Sequence, residues 1–346
     1  MIFRRSFNAM ENIVTIIFLL TFLIKFIYWG INMLKSRDIK IVENIDEFLK
    51  EINDYNKYDV VTAQEPKTKA LKLFHYTTID ALQGMLKSET IWLTKSDFLN
   101  DSYEIKYTKN LVNDACKNFI DNEDIGDLAF QNIVDKLFDD LDYDIYVLSL
   151  TENPDSLALW SSYSNFEGYN IGFNFPGFSK SITEKLCFGK YIEPHKVIYN
   201  REIQDNLINK YISDLYKLYK YSKIKDNKVI YDNNYKSILM NFLYISIFFK
   251  APEFKHEEEY RIALIIKDKN EKNTCFKVKA CKGVFIPYIE ISFDSKSKEK
   301  NLKVIDSVTI GPKNNLDIAA MGLEYFLKKY NIADIWVKKS NIRLRY

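Results

Sequence analysis

The chain has 346 residues, enough for one large domain with insertions or for two ordinary ones. Lysine plus arginine (49) nearly cancels aspartate plus glutamate (47), and a formal charge of +2 gives no generic polyanion-binding surface, although a local basic patch is compatible with it. Ten glycines beside 24 tyrosines and 24 phenylalanines argue against glycine-rich phosphate loops, and neither G-x-G-x-x-G nor G-x-x-x-x-G-K-[ST] occurs.

The four cysteines, Cys116, Cys187, Cys275 and Cys281, are scattered and form no C-x-x-C. That pattern fits a reduced chain better than a disulfide framework or a zinc site. His75, His195 and His256 are too few for a His-rich centre, so no metal is expected.

In chain order, the first element is Ile13–Leu34, IVTIIFLLTFLIKFIYWGINML, long enough to cross a bilayer as a helix. Lys25 interrupts it, on one helical face with Thr21, Tyr28 and Asn32. No small-residue cleavage site follows, which favours an anchor over a cleaved signal peptide. A buried or interfacial helix, or an extension upstream of the true start, is the alternative. Basic residues flank both ends (Arg4 and Arg5; Lys35, Arg37 and Lys40), so charge does not set the orientation. The lack of disulfide logic downstream favours a cytoplasmic catalytic side for a single-pass membrane protein. The expected domains are residues 1–35 as anchor, 36–70 as polar linker with a short helix at IVENIDEFLKEIND, and 71–346 as the globular domain.

Within that domain, Leu71–Tyr76 suits a strand, and Thr78 can cap a helix over Ile79–Lys87. Ile91–Leu93 suits a second strand, and Tyr103–Leu141 is helical by its apolar spacing. Asp144–Leu150 is a strand, Asp155 caps the helix SLALWSSYS, and Gly168–Phe175 alternates like a further strand. A mostly helical insertion runs from Asp205 to about Phe249. Arg261–Lys267, Val278–Pro287, Val304–Ile310 and Asp334–Val337 read as strands, with a helix at Ile318–Tyr330. Short strands mixed with helices, without regular βαβ alternation, predict an α+β fold.

Several residues stand out as site candidates. His75 ends an apolar strand; Trp160 and Tyr163 lie three apart on one helical face. Glu257 and Glu259 alternate across the start of a strand and so share a face, with Arg261 on that face and Glu258 turned away. Taken singly, each is more often structural: a core histidine, packing aromatics, solvated carboxylates.

Their order along the chain resembles the ADP-ribosyltransferases, in the His-Tyr-Glu branch that includes the poly-ADP-ribose polymerases and diphtheria toxin. IYVLSLTENPDSLALWSSY looks like that branch's strand and helix ending on the signature tyrosine, and EYRIALI is similar to its Glu-led strand. LFHYTTIDALQGMLKSETIWLT also looks like the opening of DNA-targeting and RNA 2′-phosphotransferase relatives. Over about Leu71 to Lys339 the chain is similar to the bacterial domain of unknown function 2971, on HYT, LND-x-x-E (Leu99 to Glu104), W-x-x-Y followed by Gly168, and E-x-E-[WY]-R (Glu257 to Arg261).

The resemblance implies ADP-ribosyltransferase-like split β-sheets with flanking helices and a helical insertion, and NAD as substrate. It implies that His75 binds the adenosine ribose, with Tyr76 and Thr77 in the same pocket, and that Tyr163 stacks on the nicotinamide beside Trp160. Glu259 would hold the nicotinamide ribose and stabilise an oxocarbenium-like transition state, Glu257 would orient or deprotonate the acceptor, and Arg261 would keep both carboxylates ionised. Asn100, Asp101 and Glu104 form a polar supporting cluster without a counterpart in the polymerases, which also carry glycine after the histidine. The implied activity is ADP-ribosyl transfer to a protein or nucleic-acid acceptor, in bacterial conflict or phage defence. NAD hydrolysis, RNA 2′-phosphate transfer and a non-catalytic binding module are the alternatives.

Overall fold

The computed structural model describes residues 72–99, 104–122, 128–139, 142–175, 177–178, 188–225, 228–267, 275–281, 283–293, 304–314, 316–332 and 334–344. The expected anchor at 13–34 and linker at 36–70 lie outside the described residues, as do Asn100 and Asp101. Among the described residues no helix is long and apolar enough to cross a membrane.

The chain divides into two compact units, one formed by Lys57–Ser213 with Leu239–Tyr346, the other containing Asp214–Ile238. In the first, apolar residues shape β1 (Lys72–Thr77), which buries Leu73, Phe74 and Tyr76. Thr78 stops the strand and caps α1 (Ile79–Ser88), its hydroxyl accepting from the Ala81 amide at 3.4 Å. Leu82, Met85 and Leu86, at the i, i+3, i+4 spacing of one helical face, are the residues α1 buries. β2 (Thr90–Lys95) follows, then α2 (Glu104–Asn122) and α3 (Leu128–Lys136), within the stretch Tyr103–Leu141 expected to be helical. Next come β3 (Asp144–Thr151), α4 (Leu157–Ser164), β4 (Tyr169–Asn174) and β5 (Lys190–Lys196), the last a strand that its weak alternation concealed. The start of α5 (Arg201–Lys225) and the end of α6 (Lys228–Phe248) belong to this unit and precede β6 (Glu259–Ile266). The expected strand Val278–Pro287 is a hairpin instead: β7 (Lys277–Cys281) and β8 (Val284–Ser292) turn at Gly283, whose φ of 81° suits a residue without Cβ. β9 (Ile305–Ile310), α7 (Leu316–Lys329) and β10 (Trp336–Lys339) complete the unit.

The strands form one ten-stranded sheet in the order β10-β9-β4-β1-β3-β2-β8-β7, with β6 on β3 and β5 on β6. β10 runs parallel to β9; the other named pairs are antiparallel. β3 is paired unevenly. All eight of its residues face β6, from Asp144↔Ile266 to Thr151↔Glu259. Its other edge touches β1 at Phe74↔Thr151 and β2 at Thr94↔Val147 and Lys95↔Tyr146. Between those contacts Leu148, Ser149 and Leu150 have no ladder partner on that edge among the described residues. A seam therefore opens where β1 and β2 part.

Leu82 and Met85 of α1, Leu148 and Leu150 of β3, Ile262 and Leu264 of β6, and Leu323 and Leu327 of α7 share one buried cluster. Burying each such side chain stabilises the fold by about 1.5–3 kcal/mol. Tyr76, Leu159 and Trp160 form a second, where the Tyr76 and Trp160 rings meet edge to face with centroids 4.7 Å apart. In the other unit, Lys217 pairs with Asp214 at 3.3 Å, and Lys223 lies 4.4 Å from the Tyr219 ring centroid.

Candidate functional site

The sequence PEFKHEEEYR makes a turn before it makes a strand. Pro252–Glu257 is a 3₁₀ turn, Glu258 adopts a left-handed conformation (φ 47°), and β6 starts at Glu259. Glu257 and Glu259 therefore do not share a face by strand alternation, as the sequence suggests; the turn brings them together on a common cation. Lys250, just beyond α6, donates to Glu257 Oε2 at 2.6 Å and to Glu259 Oε2 at 3.0 Å. Arg261, two residues along β6, grips Glu259 with Nε on Oε1 (2.8 Å) and Nη2 on Oε2 (3.0 Å). Its Nη1 donates to the Ile247 carbonyl at 2.6 Å, tying β6 to the end of α6.

These four side chains are an inward-facing charge quartet. The side chains of Lys250, Glu259 and Arg261 are 6%, 5% and 2% exposed, and two carboxylates balance two cations. Burial by itself pushes the Glu259 carboxyl up, but Arg261 and Lys250 outweigh it and hold its pKa at about 2. Such groups persist away from water because they are paired and hydrogen-bonded. Glu259 is the more heavily engaged carboxylate: Oε1 takes Arg261 Nε, and Oε2 takes Arg261 Nη2 and Lys250. Glu257 keeps more acceptor capacity, with Tyr163 on Oε1 (3.1 Å) and Lys250 on Oε2. Glu258 is exposed and meets Asn153 Nδ2 at 3.4 Å.

Tyr163 reaches Glu257 from α4. The cap of that helix is Ser156, whose hydroxyl accepts from the Leu159 amide at 3.5 Å, and not Asp155. Asp155 instead receives Trp160 Nε1 at 2.7 Å, Ser340 Oγ at 2.7 Å and the Asn341 amide at 2.7 Å. Gly168 lets the chain after α4 close on β1, since a Cβ there would press on the Thr77 carbonyl oxygen and on Ser164 Cβ. Burial, then Glu257 and Glu259, push the Tyr163 phenol up, so it stays a donor.

His75 projects at the seam. Its Nδ1 lies 2.9 Å from the Ser149 carbonyl oxygen, on the edge of β3 that lacks a ladder partner. Burial lowers its pKa to about 4, so the ring is neutral at pH 7. A carbonyl only accepts, which assigns the proton to Nδ1 and leaves Nε2 as an acceptor.

His75, Thr77, Ser149, Tyr163, Lys250, Glu259 and Arg261 all line one cleft, partly open to solvent, with Trp92, Thr94 and Lys279 on its other wall. A smaller pocket shares His75, Ser149, Tyr163 and Glu259 with it and adds Glu257. Thus five expected site residues (His75, Thr77, Tyr163, Glu259 and Arg261) line the larger cleft, and Tyr76 and Glu257 line the smaller pocket. Tyr76 and Trp160 also serve the framework. Tyr76 donates to the Asn153 carbonyl (3.0 Å) and accepts from the Ser156 amide (2.8 Å), and Trp160 is fully buried against it. Glu104 begins α2. Lys250, Ser149, Lys279 and Tyr199, whose hydroxyl accepts from the Glu259 amide at 3.2 Å, were not expected; of these, only Lys250 left a trace, a lone charge directly after the apolar run ISIFF. Among the described residues no group of three or more His, Cys, Asp or Glu side chains is disposed to hold a metal ion.

Fold and site together define a mixed α/β protein: one sheet with flanking helices and a charged, aromatic-rimmed cleft at a seam in that sheet. Residues 159–262 match the model of the family described as protein of unknown function (DUF2971). The matched stretch carries Trp160, Tyr163, Lys250, Glu257, Glu259 and Arg261, but not His75. No curated protein and no solved structure matches the chain.

Proposed function

We propose that the cleft binds NAD and that the protein transfers ADP-ribose from it to a macromolecular acceptor. The observation that carries this reading is that His75, Tyr163 and Glu259, from three separate elements, line one cleft where the sheet parts. Neutral His75 offers Nε2 to a ribose hydroxyl. The half-exposed Tyr163 ring gives a flat face to a cationic nicotinamide. Glu259, fixed and ionised, stabilises positive charge as the glycosidic bond breaks; Glu257, with acceptor capacity left, takes the hydroxyl or the acceptor's proton. The opening between β1 and β3 also supports a split-sheet, ADP-ribosyltransferase-like reading of the fold. RNA 2′-phosphate transfer is less well supported, because Arg261 is engaged by Glu259 and the Ile247 carbonyl. A role in bacterial conflict or phage defence, and a tether through residues 13–34, belong to the same proposal.

The three donors already on Glu259 favour a second reading, a binding module that holds its ligand without turnover. Labelled NAD, added to the full-length chain with and without cell lysate, separates the two. Label transfer lost in His75→Asn and in Glu257→Gln, with melting temperatures retained, supports the transferase; Glu259→Gln is informative only if it folds. Nicotinamide release without transfer means a hydrolase, and binding without turnover means the binding module. A chain that neither binds nor consumes NAD overturns the proposal. For the tether, release of the chain from membranes by alkaline carbonate counts against a spanning helix.

A further inference from the structure

The wall of the cleft opposite the quartet is built by β2 and the β7–β8 hairpin, and it carries a cation with no anion. Strand pairing stacks Thr94 beside Tyr288 and Lys277 beside Tyr288, so the three strands present one continuous row. Lys277 is answered within that row by Glu290 at 2.7 Å. Lys279, two residues further and half-buried, is not: its ammonium sits 5.1 Å from the Trp92 ring centroid and 5.4 Å from that of Tyr288. No carboxylate lies within ion-pair distance of it among the described residues. Aromatic faces hold an ammonium in place without neutralising its charge.

The rest of the cleft does not neutralise it either. Lys250 and Arg261 are balanced by Glu257 and Glu259, and His75 is neutral, so Lys279 is the uncompensated charge. Burial disfavours that charge and lowers the Lys279 pKa, a penalty an anion in the cleft would reverse. Thr77 and Thr94 line the same space, and a threonine hydroxyl can donate to an anion.

We propose that Lys279, seated on Trp92 and Tyr288, is the subsite for the phosphate groups of the cleft's ligand. The subsite deepens the NAD reading above and rests on it for the ligand's identity, but not for the ligand's charge. In a dinucleotide it receives the pyrophosphate, with the quartet and Tyr163 left for the nicotinamide ribose.

The test is calorimetric titration of the full-length chain with NAD, inorganic pyrophosphate and nicotinamide riboside, which lacks the pyrophosphate. Lys279→Met should weaken NAD and pyrophosphate about tenfold to a hundredfold, the range for loss of one charge-assisted hydrogen bond. Lys279→Arg should restore most of the affinity, and nicotinamide riboside should bind all three proteins alike. Melting temperatures of the variants guard against misfolding. Wild-type affinity for both phosphate probes in Lys279→Met overturns the subsite while leaving the NAD reading intact. Lys279-dependent binding of pyrophosphate without binding of NAD upholds the subsite and overturns the NAD reading. A wild-type chain that takes neither probe overturns both.

Discussion

Replacing Lys250 with methionine tests whether the quartet is a cooperative unit. Methionine keeps the length of the apolar stem but removes the ammonium, leaving Glu257 and Glu259 with Arg261 as the remaining cation. Lys250 bonds both carboxylates, at 2.6 and 3.0 Å, from a position 6% exposed. Removing one member of a buried ion pair costs about 3–5 kcal/mol, because a charge is left without its partner. For a chain of this size, that corresponds to a fall in melting temperature of roughly 4–7 °C.

The loss should also depend on pH, in a definite direction. Glu259 is lowered from 4.5 to about 2, so its contribution is complete above pH 4.5 and is lost as the pH falls toward 2. At about 1.4 kcal/mol per pKa unit this is about 3 kcal/mol. Lys250 supplies part of that lowering, so the gap between wild type and variant should narrow below pH 4.5. Thermal melts followed by circular dichroism between pH 7 and pH 3 measure both effects. A drop under about 2 °C at pH 7, or a gap that stays constant with pH, refutes the cooperative quartet.

Three further outcomes are expected. Tyr76→Phe strips the Ser156 amide and the Asn153 carbonyl of their partner and should cost about 1–3 kcal/mol in chemical denaturation. Gly168→Ala should cost about 3 kcal/mol, since the added methyl meets the Thr77 carbonyl and Ser164; unchanged stability would mean that α4 does not press on β1 as described. The His75 imidazole should titrate near 4 by NMR, and its contribution to stability, complete above pH 6.5, should decline as the pH falls from 6.5 to 4.

Local patterns were legible in the sequence where one element decides them. Thr78 announced α1, and the apolar runs of β1, β3 and β4 fell within a residue or so of their bounds. Where two neighbours compete the reading failed. Ser156 took the capping role because Asp155 is held by Trp160 Nε1, Ser340 and Asn341, contacts that span up to 186 positions. Val278–Pro287 read as one strand because its alternation continues through a turn that Gly283 alone marks. His75, Tyr163, Glu257 and Glu259 could be named from their residue types and order. Lys250 could not, since its meaning depends on the 3₁₀ turn Pro252–Glu257 that folds Glu257 and Glu259 back onto it, and Lys279 could not, since its seat on Trp92 joins strands far apart in sequence.

The sparse edge of β3 also makes the sheet compliant along one line. Drawing β1 away from β3 breaks the Phe74–Thr151 pairing and the His75–Ser149 latch, whereas separating β3 from β6 must unzip eight residues. The two banks of the cleft are thus joined more by side chains than by ladder. Any ligand touching both banks adds stitches where the backbone has few, so filling the cleft stiffens the sheet, and amide exchange along Leu148–Leu150 slows in proportion to occupancy.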